Sequence, residues 1–131
     1  MLYIWVGIAG VAGALLRYLL GMWIQGVGTG FPFPTLLINL TGSFLLAFFY
    51  TWTAQRFPVH PYVRTAIGTG FVGSFTTFST FSYETLHLIQ HGQIASAAGY
   101  VIISLLGGYV AAVLGIRLAA RPQETKQERQ G

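Results

Sequence analysis

Residues 68–83 read G-T-G-F-V-G-S-F-T-T-F-S-T-F-S-Y, an uncharged run inside a long apolar segment. Glycine and β-branched threonine are poor helix formers, so the run is predicted to strain or interrupt the helix that contains it. In a bilayer an interruption has consequences. Freed backbone N–H and C=O groups cannot face lipid, so an irregular stretch at membrane depth must be buried in protein or line a cavity. The run therefore reads as a site. A face of Gly, Ser and Thr used for close helix packing, which is common in membrane helices, is the competing reading, and composition alone leaves both open.

The rest of the chain supplies the membrane. Its 131 residues are 53% hydrophobic and only 8% charged, against a charged share of ~25% in soluble domains. Four apolar segments are predicted, each near the ~20 residues needed to span. The first covers residues 2–24 and starts too long and uncharged to be a signal peptide, so it is expected to remain in the mature chain. The second covers residues 35–54. The third runs from Tyr62 to about His91, which as one straight helix would measure ~45 Å, longer than a ~30 Å hydrocarbon core. A break around residues 73–77 is the simplest way to fit it. The fourth covers residues 94–119, and residues 121–131 form a polar, Gln-rich tail expected to be disordered. The expected class is an all-α integral membrane protein, with residues 1–120 as one four-helix unit.

Several functional classes fall away. There is no Asp or Cys, which excludes thiolate catalysis, Cys-ligated metal and disulfides. No nucleophile, base and orienting group are recognisable together, so an enzyme is not expected. The net charge of +4 does not point to nucleic acid, because the basic residues gather at the ends of apolar segments rather than on one face.

Candidate polar positions sit inside the spans. Arg17 either snorkels to the interface, the favoured reading for a residue a turn or two from a helix end, or pairs with protein and supplies positive potential to an anion pathway. Asn39, Gly42 and Ser43 share a face by their spacing of three and four. Asn39 is either interhelical glue or a pore amide. Beyond the expected break, Phe78 and Phe81 share one face, and Thr77, Thr80 and Glu84 share another. Hydroxyls donate hydrogen bonds to anions, and the positive edge of a Phe ring can face one weakly. Glu84, His87 and His91 could offer a carboxylate and two imidazoles to a metal, although no fourth ligand is evident. In the fourth span Ser104, Gly108 and Ala112 form a small-residue stripe suited to close helix contact, and Ser104 could extend a polar track.

Three segments together resemble the Fluc (CrcB-type) fluoride channels: G-V-A-G-A-L-L-R-Y at 10–18, T-L-L-I-N-L-T-G-S-F at 35–44 and G-S-F-T-T-F-S-T-F at 73–81. Ser74 and Ala47 stand where that family commonly has Gly. The resemblance implies an antiparallel dimer of four-span subunits in the cell membrane, exporting fluoride passively through two pathways. It also implies a structural Na+ at the dimer centre, held by the backbone carbonyls of Gly73 and Thr76. By the same resemblance Phe78, Phe81 and Asn39 line the pore, Ser79, Thr80 and Ser104 belong to a polar track, and Tyr100, Glu84 and Arg17 belong to the pathway or its vestibule. Neutral donors suit transport, because a fully charged, desolvated site could hold an anion too tightly for release.

With four spans, Arg56, Arg64, Arg117 and Arg121 fall on one side with both termini, and at most Arg17 on the other. The positive-inside rule then places both termini in the cytoplasm. A bias this clear sits awkwardly with a dual-topology homodimer, the commoner family arrangement, and it raises the alternative of pairing with a separately encoded, oppositely oriented homologue. Outside the channel reading stand a small-cation or proton-coupled transporter using Glu84 and the histidines, and a non-transporting membrane assembly protein.

Overall fold

The structure, a computed structural model, describes residues 1–25 and 30–122. The polar tail beyond Pro122 and four residues of the first connection lie outside it. Every regular element among the described residues is helical. Helices α1 (Leu2–Ile24) and α2 (Phe33–Gln55) have 23 residues each, roughly 35 Å of helix. Three helices, these two and the 26-residue Ile94–Ala119, are long and apolar enough to cross a membrane. The first and last have the predicted bounds. The second starts two residues earlier than expected, because Pro34 is accepted in the first helical turn, where its missing N–H leaves no bond unmade.

The region between α2 and the last helix is segmented. Helix α3 (Pro61–Thr65) is capped by the His60 side chain and continues into a π-helical turn at Ala66–Val72, then a short α4 (Gly73–Phe75). Thr76 (φ −78°, ψ 159°) and Thr77 (φ −147°, ψ 121°) are extended, and helix resumes as α5 (Phe78–Gln90). The Thr77 hydroxyl accepts from the Thr80 N–H at 3.2 Å, which caps α5. Gly92, at φ +74°, ends α5: its N–H donates to Ile89 O at 3.0 Å and the Gln93 N–H to Leu88 O at 2.9 Å, the pairing of a left-handed glycine stop. The chain then reverses into α6 (Ile94–Ala119).

Glycines let backbones meet. A Cβ on Gly13 of α1 would collide with the Phe71 carbonyl, and one on Gly70 would lie 2.6 Å from Val6 O. The π turn thus lies directly against α1. On the other side α6 packs along α2, with Gly115 close to Phe44 O and Gly107 against Leu40. Of the predicted small-residue stripe, Gly108 faces Ser43 at ordinary contact, while the tightest approach falls at Gly115. Leu36, Leu88, Ala97 and the fully buried Tyr100 form a core that ties α2, α5 and α6 together.

Candidate functional site

The interruption at Thr76 and Thr77 exposes main-chain groups that an unbroken helix would pair. Neighbouring helices supply some of their partners. The Asn39 amide meets Thr77 with both ends: its Nδ2 donates to Thr77 O at 3.0 Å, and its Oδ1 accepts from the Thr77 N–H at 2.9 Å. Arg17 Nε donates to Ser74 O at 3.1 Å. Val72 O accepts both the N–H and the hydroxyl of Thr76, at 3.0 and 3.1 Å. Among the described residues no hydrogen bond is made to the carbonyls of Gly73 or Thr76. Thr76 can sit here because α2 has no side chain at Gly42, where a Cβ would strike its methyl group.

Hydroxyls and rings cluster just past the break. The Thr77 hydroxyl donates to Thr80 Oγ1 at 3.0 Å and lies 3.4 Å from Ser79 Oγ. Phe78 and Phe81 have ring centroids 5.8 Å apart, and Phe81 packs on Tyr100 at 5.0 Å. Phe78 is 80% exposed on the single subunit, although it opens a helix in the middle of the fold. A 310 Å³ cleft runs beside it, bounded by Asn39, Ser43, Gly73, Thr76 and Thr77. One turn further along α5, Glu84 accepts from the Thr35 hydroxyl at 2.8 Å and from the Tyr100 hydroxyl at 2.7 Å. A 740 Å³ vestibule opens over this group, with Arg17, Thr80, Glu84 and His87 among the residues lining it.

The predicted residues therefore separate into sets. Asn39, Phe78, Phe81, Ser79, Thr80, Gly73 and Thr76 gather around the break, and Glu84 and Tyr100 join through a direct hydrogen bond. Ser104 is half-buried on α6, and among the described residues no hydrogen bond joins it to either set. Arg17 is tied to backbone rather than reaching free for the interface, because the break in the facing segment presents it a carbonyl within reach. Glu84, His87 and His91 do not assemble as a metal group: the carboxylate turns to Thr35 and Tyr100, His91 Nδ1 lies 2.8 Å from His87 O, and no group of three such ligands occurs among the described residues.

A family model described as CrcB-like protein, Camphor Resistance (CrcB), matches residues 4–116. The chain belongs to the CrcB family. A relative from Bacillus cereus, named fluoride-specific ion channel FluC 1, is 53% identical over 90% of this chain and 87% of its own length. FluC 2 of Geobacillus kaustophilus is 48% identical over 94% of this chain and 95% of its own. FluC of Acidobacterium capsulatum is 46% identical over 92% and 98%. A CrcB chain with three helices able to span is a membrane protein. One member of its polar groups was not among the sequence candidates. Thr35 precedes Asn39 by one helical turn and so shares its face, a spacing that could have found it. Thr77 was singled out for its hydroxyl, whereas the pairing of its backbone with Asn39 is visible only in the extended conformation.

Proposed function

We infer that this chain is the subunit of a fluoride-selective ion channel that lets fluoride leave the cell passively across the cell membrane. The observation that carries the reading is the neutral donor set around the exposed Phe78, in a chain 53% identical to a protein named for fluoride conduction. Donors in that set are the Asn39 amide, the hydroxyls of Ser79 and Thr80 and the edges of Phe78 and Phe81. Each can replace part of an anion's hydration without pinning it, so the ion can enter and leave. Ser104 extends the same track. Arg17, Glu84 and Tyr100 border the vestibule from which ions enter. The family is one of channels, and the chain is not an enzyme.

The segments from Pro61 to Gln90 form the third membrane crossing, broken at Thr76 and Thr77, where Asn39 pairs with both backbone groups of Thr77 and the carbonyls of Gly73 and Thr76 are left for another partner. The functional unit is an antiparallel dimer. Phe78 and Gly73 are exposed on the single subunit, where a second subunit would cover them. The free carbonyls of Gly73 and Thr76 are hard oxygen donors at that surface and fit a structural Na+. When bound, the cation gives those carbonyls the partner that the broken helix denies them. The homodimer is proposed over a pair with an oppositely oriented homologue.

Efflux of fluoride and chloride from liposomes holding this chain alone tests the reading. Fast fluoride efflux without chloride efflux is expected. Equal rates for the two ions would remove the selectivity. No flux until an oppositely oriented homologue is added would replace the homodimer by a heterodimer.

A further inference from the structure

We propose that Arg17 is a positioning residue, which holds the Ser74 carbonyl and thereby keeps α4 and α5 apart, rather than a source of positive field for the vestibule. Four observations converge on this. The Arg17 Nε–H donates to Ser74 O at 3.1 Å, from α1 to the middle residue of α4. The same face of α1, two turns earlier, carries Gly10, whose bare surface accepts the Ser74 side chain: a Cβ there would lie 3.1 Å from Ser74 Oγ. Ser74 is therefore seated on α1 through both its side chain and its carbonyl. Third, the end of α4 carries negative partial charge from its unpaired carbonyls, which a guanidinium complements.

The fourth observation concerns what Ser74 O would do otherwise. Four residues on is the N–H of Phe78, the first residue of α5 and one of the donors that a helix start leaves unpaired. A free Ser74 carbonyl would have that N–H as a competing partner. Forming the bond would straighten the segment through Thr76 and Thr77 and swing Phe78 out of place. Asn39 opposes this from α2 by occupying both backbone groups of Thr77, and Arg17 opposes it from α1 by occupying Ser74. One side chain from each flanking helix holds one side of the break.

Three substitutions separate a donor from a charge. Arg17→Gln places an amide nitrogen the same number of bonds from Cα as the Arg Nε, so it keeps the donor and loses the charge. Arg17→Met keeps the length with neither. Arg17→Lys keeps the charge on a differently shaped donor. Fluoride efflux from liposomes should fall about tenfold in Arg17→Met, while Arg17→Gln retains the larger part of the wild-type rate, at low and high salt alike. Hydrogen exchange of peptides covering residues 72–80 should accelerate in Arg17→Met and not in Arg17→Gln, with α6 peptides unchanged in both. Arg17→Gln as slow as Arg17→Met, with Arg17→Lys at the wild-type rate and the losses fading with salt, would overturn the proposal in favour of a field effect. So would unchanged exchange at residues 72–80 in Arg17→Met. The flux arm rests on the channel reading, whose failure would show as absent fluoride efflux in the wild type; the exchange arm still decides the clamp.

Discussion

Asn39 is one turn past Thr35 on a span whose other residues are mostly apolar, and its cost there is met by two bonds to a single extended residue. Aspartate can still accept from the Thr77 N–H but cannot donate to Thr77 O, and it adds negative charge beside an anion path. Asn39→Asp is expected to lower fluoride efflux at least ~100-fold, by orphaning the carbonyl and by repulsion, as read with a fluoride electrode on loaded liposomes. Phe78 gives the opposite combination. Isoleucine keeps most of the apolar surface that a second subunit would cover, so Phe78→Ile should leave thermal stability in detergent within ~1.5 kcal/mol, while cutting fluoride efflux by more than ~10-fold. Equal losses of stability and flux would mark Phe78 as packing. Spacing made both residues visible in the sequence. The partner of Asn39 was not, because a threonine in a helix and a threonine in extended backbone are written with the same letter.

The segments from Pro61 to Gln90 show how an element is built from poor helix formers held by better ones. Gly68 and Gly70 sit in the π turn, where an extra residue per turn shifts the faces that follow. What keeps the turn in place is α1: Gly13 and Gly70 each leave room for the other helix's backbone. Gly13→Ala would push a methyl group into the Phe71 carbonyl, which cannot move as a side-chain tip can. It should destabilise the fold by roughly 1–3 kcal/mol. Gly99→Ala on α6, where nothing lies within 4 Å, is the matched control and should cost nothing. Thermal denaturation of the purified proteins by size-exclusion checks the pair, and equal behaviour would refute the packing argument. The excess of the third apolar segment over the membrane thickness led to the expectation of a break around residues 73–77. The extended residues are Thr76 and Thr77, at the end of that window: Gly73 and Ser74 still fit a helical turn, and the Asn39 amide pairs with both backbone groups of Thr77.

The whole molecule has one basic end. Arg56 Nη2 donates to Ala120 O at 2.8 Å, the Arg121 N–H donates to Gln55 Oε1 at 3.1 Å, and Arg64 Nε donates to Thr53 Oγ1 at 3.1 Å while stacking on Tyr50. The ends of α2 and α6 and the start of the segment at Pro61 therefore meet on one side. Positive-inside counting puts that end in the cytoplasm. A tag fused to the C-terminus tests this against the antiparallel homodimer: the homodimer expects labelling by an external modifying reagent in about half of the molecules in intact cells, and shielding in nearly all of them would replace it by a pair with an oppositely oriented homologue. Sequence by itself determined the solvent and the bounds of the first and last long helices, because both follow from apolar length along the chain. Only the tertiary structure decided which donor meets which carbonyl: Asn39 with Thr77, Arg17 with Ser74, Thr35 and Tyr100 with Glu84. Those pairings join residues 16 to 57 positions apart, and their choice depends on how the helices pack, a property of the assembled bundle that no local pattern encodes.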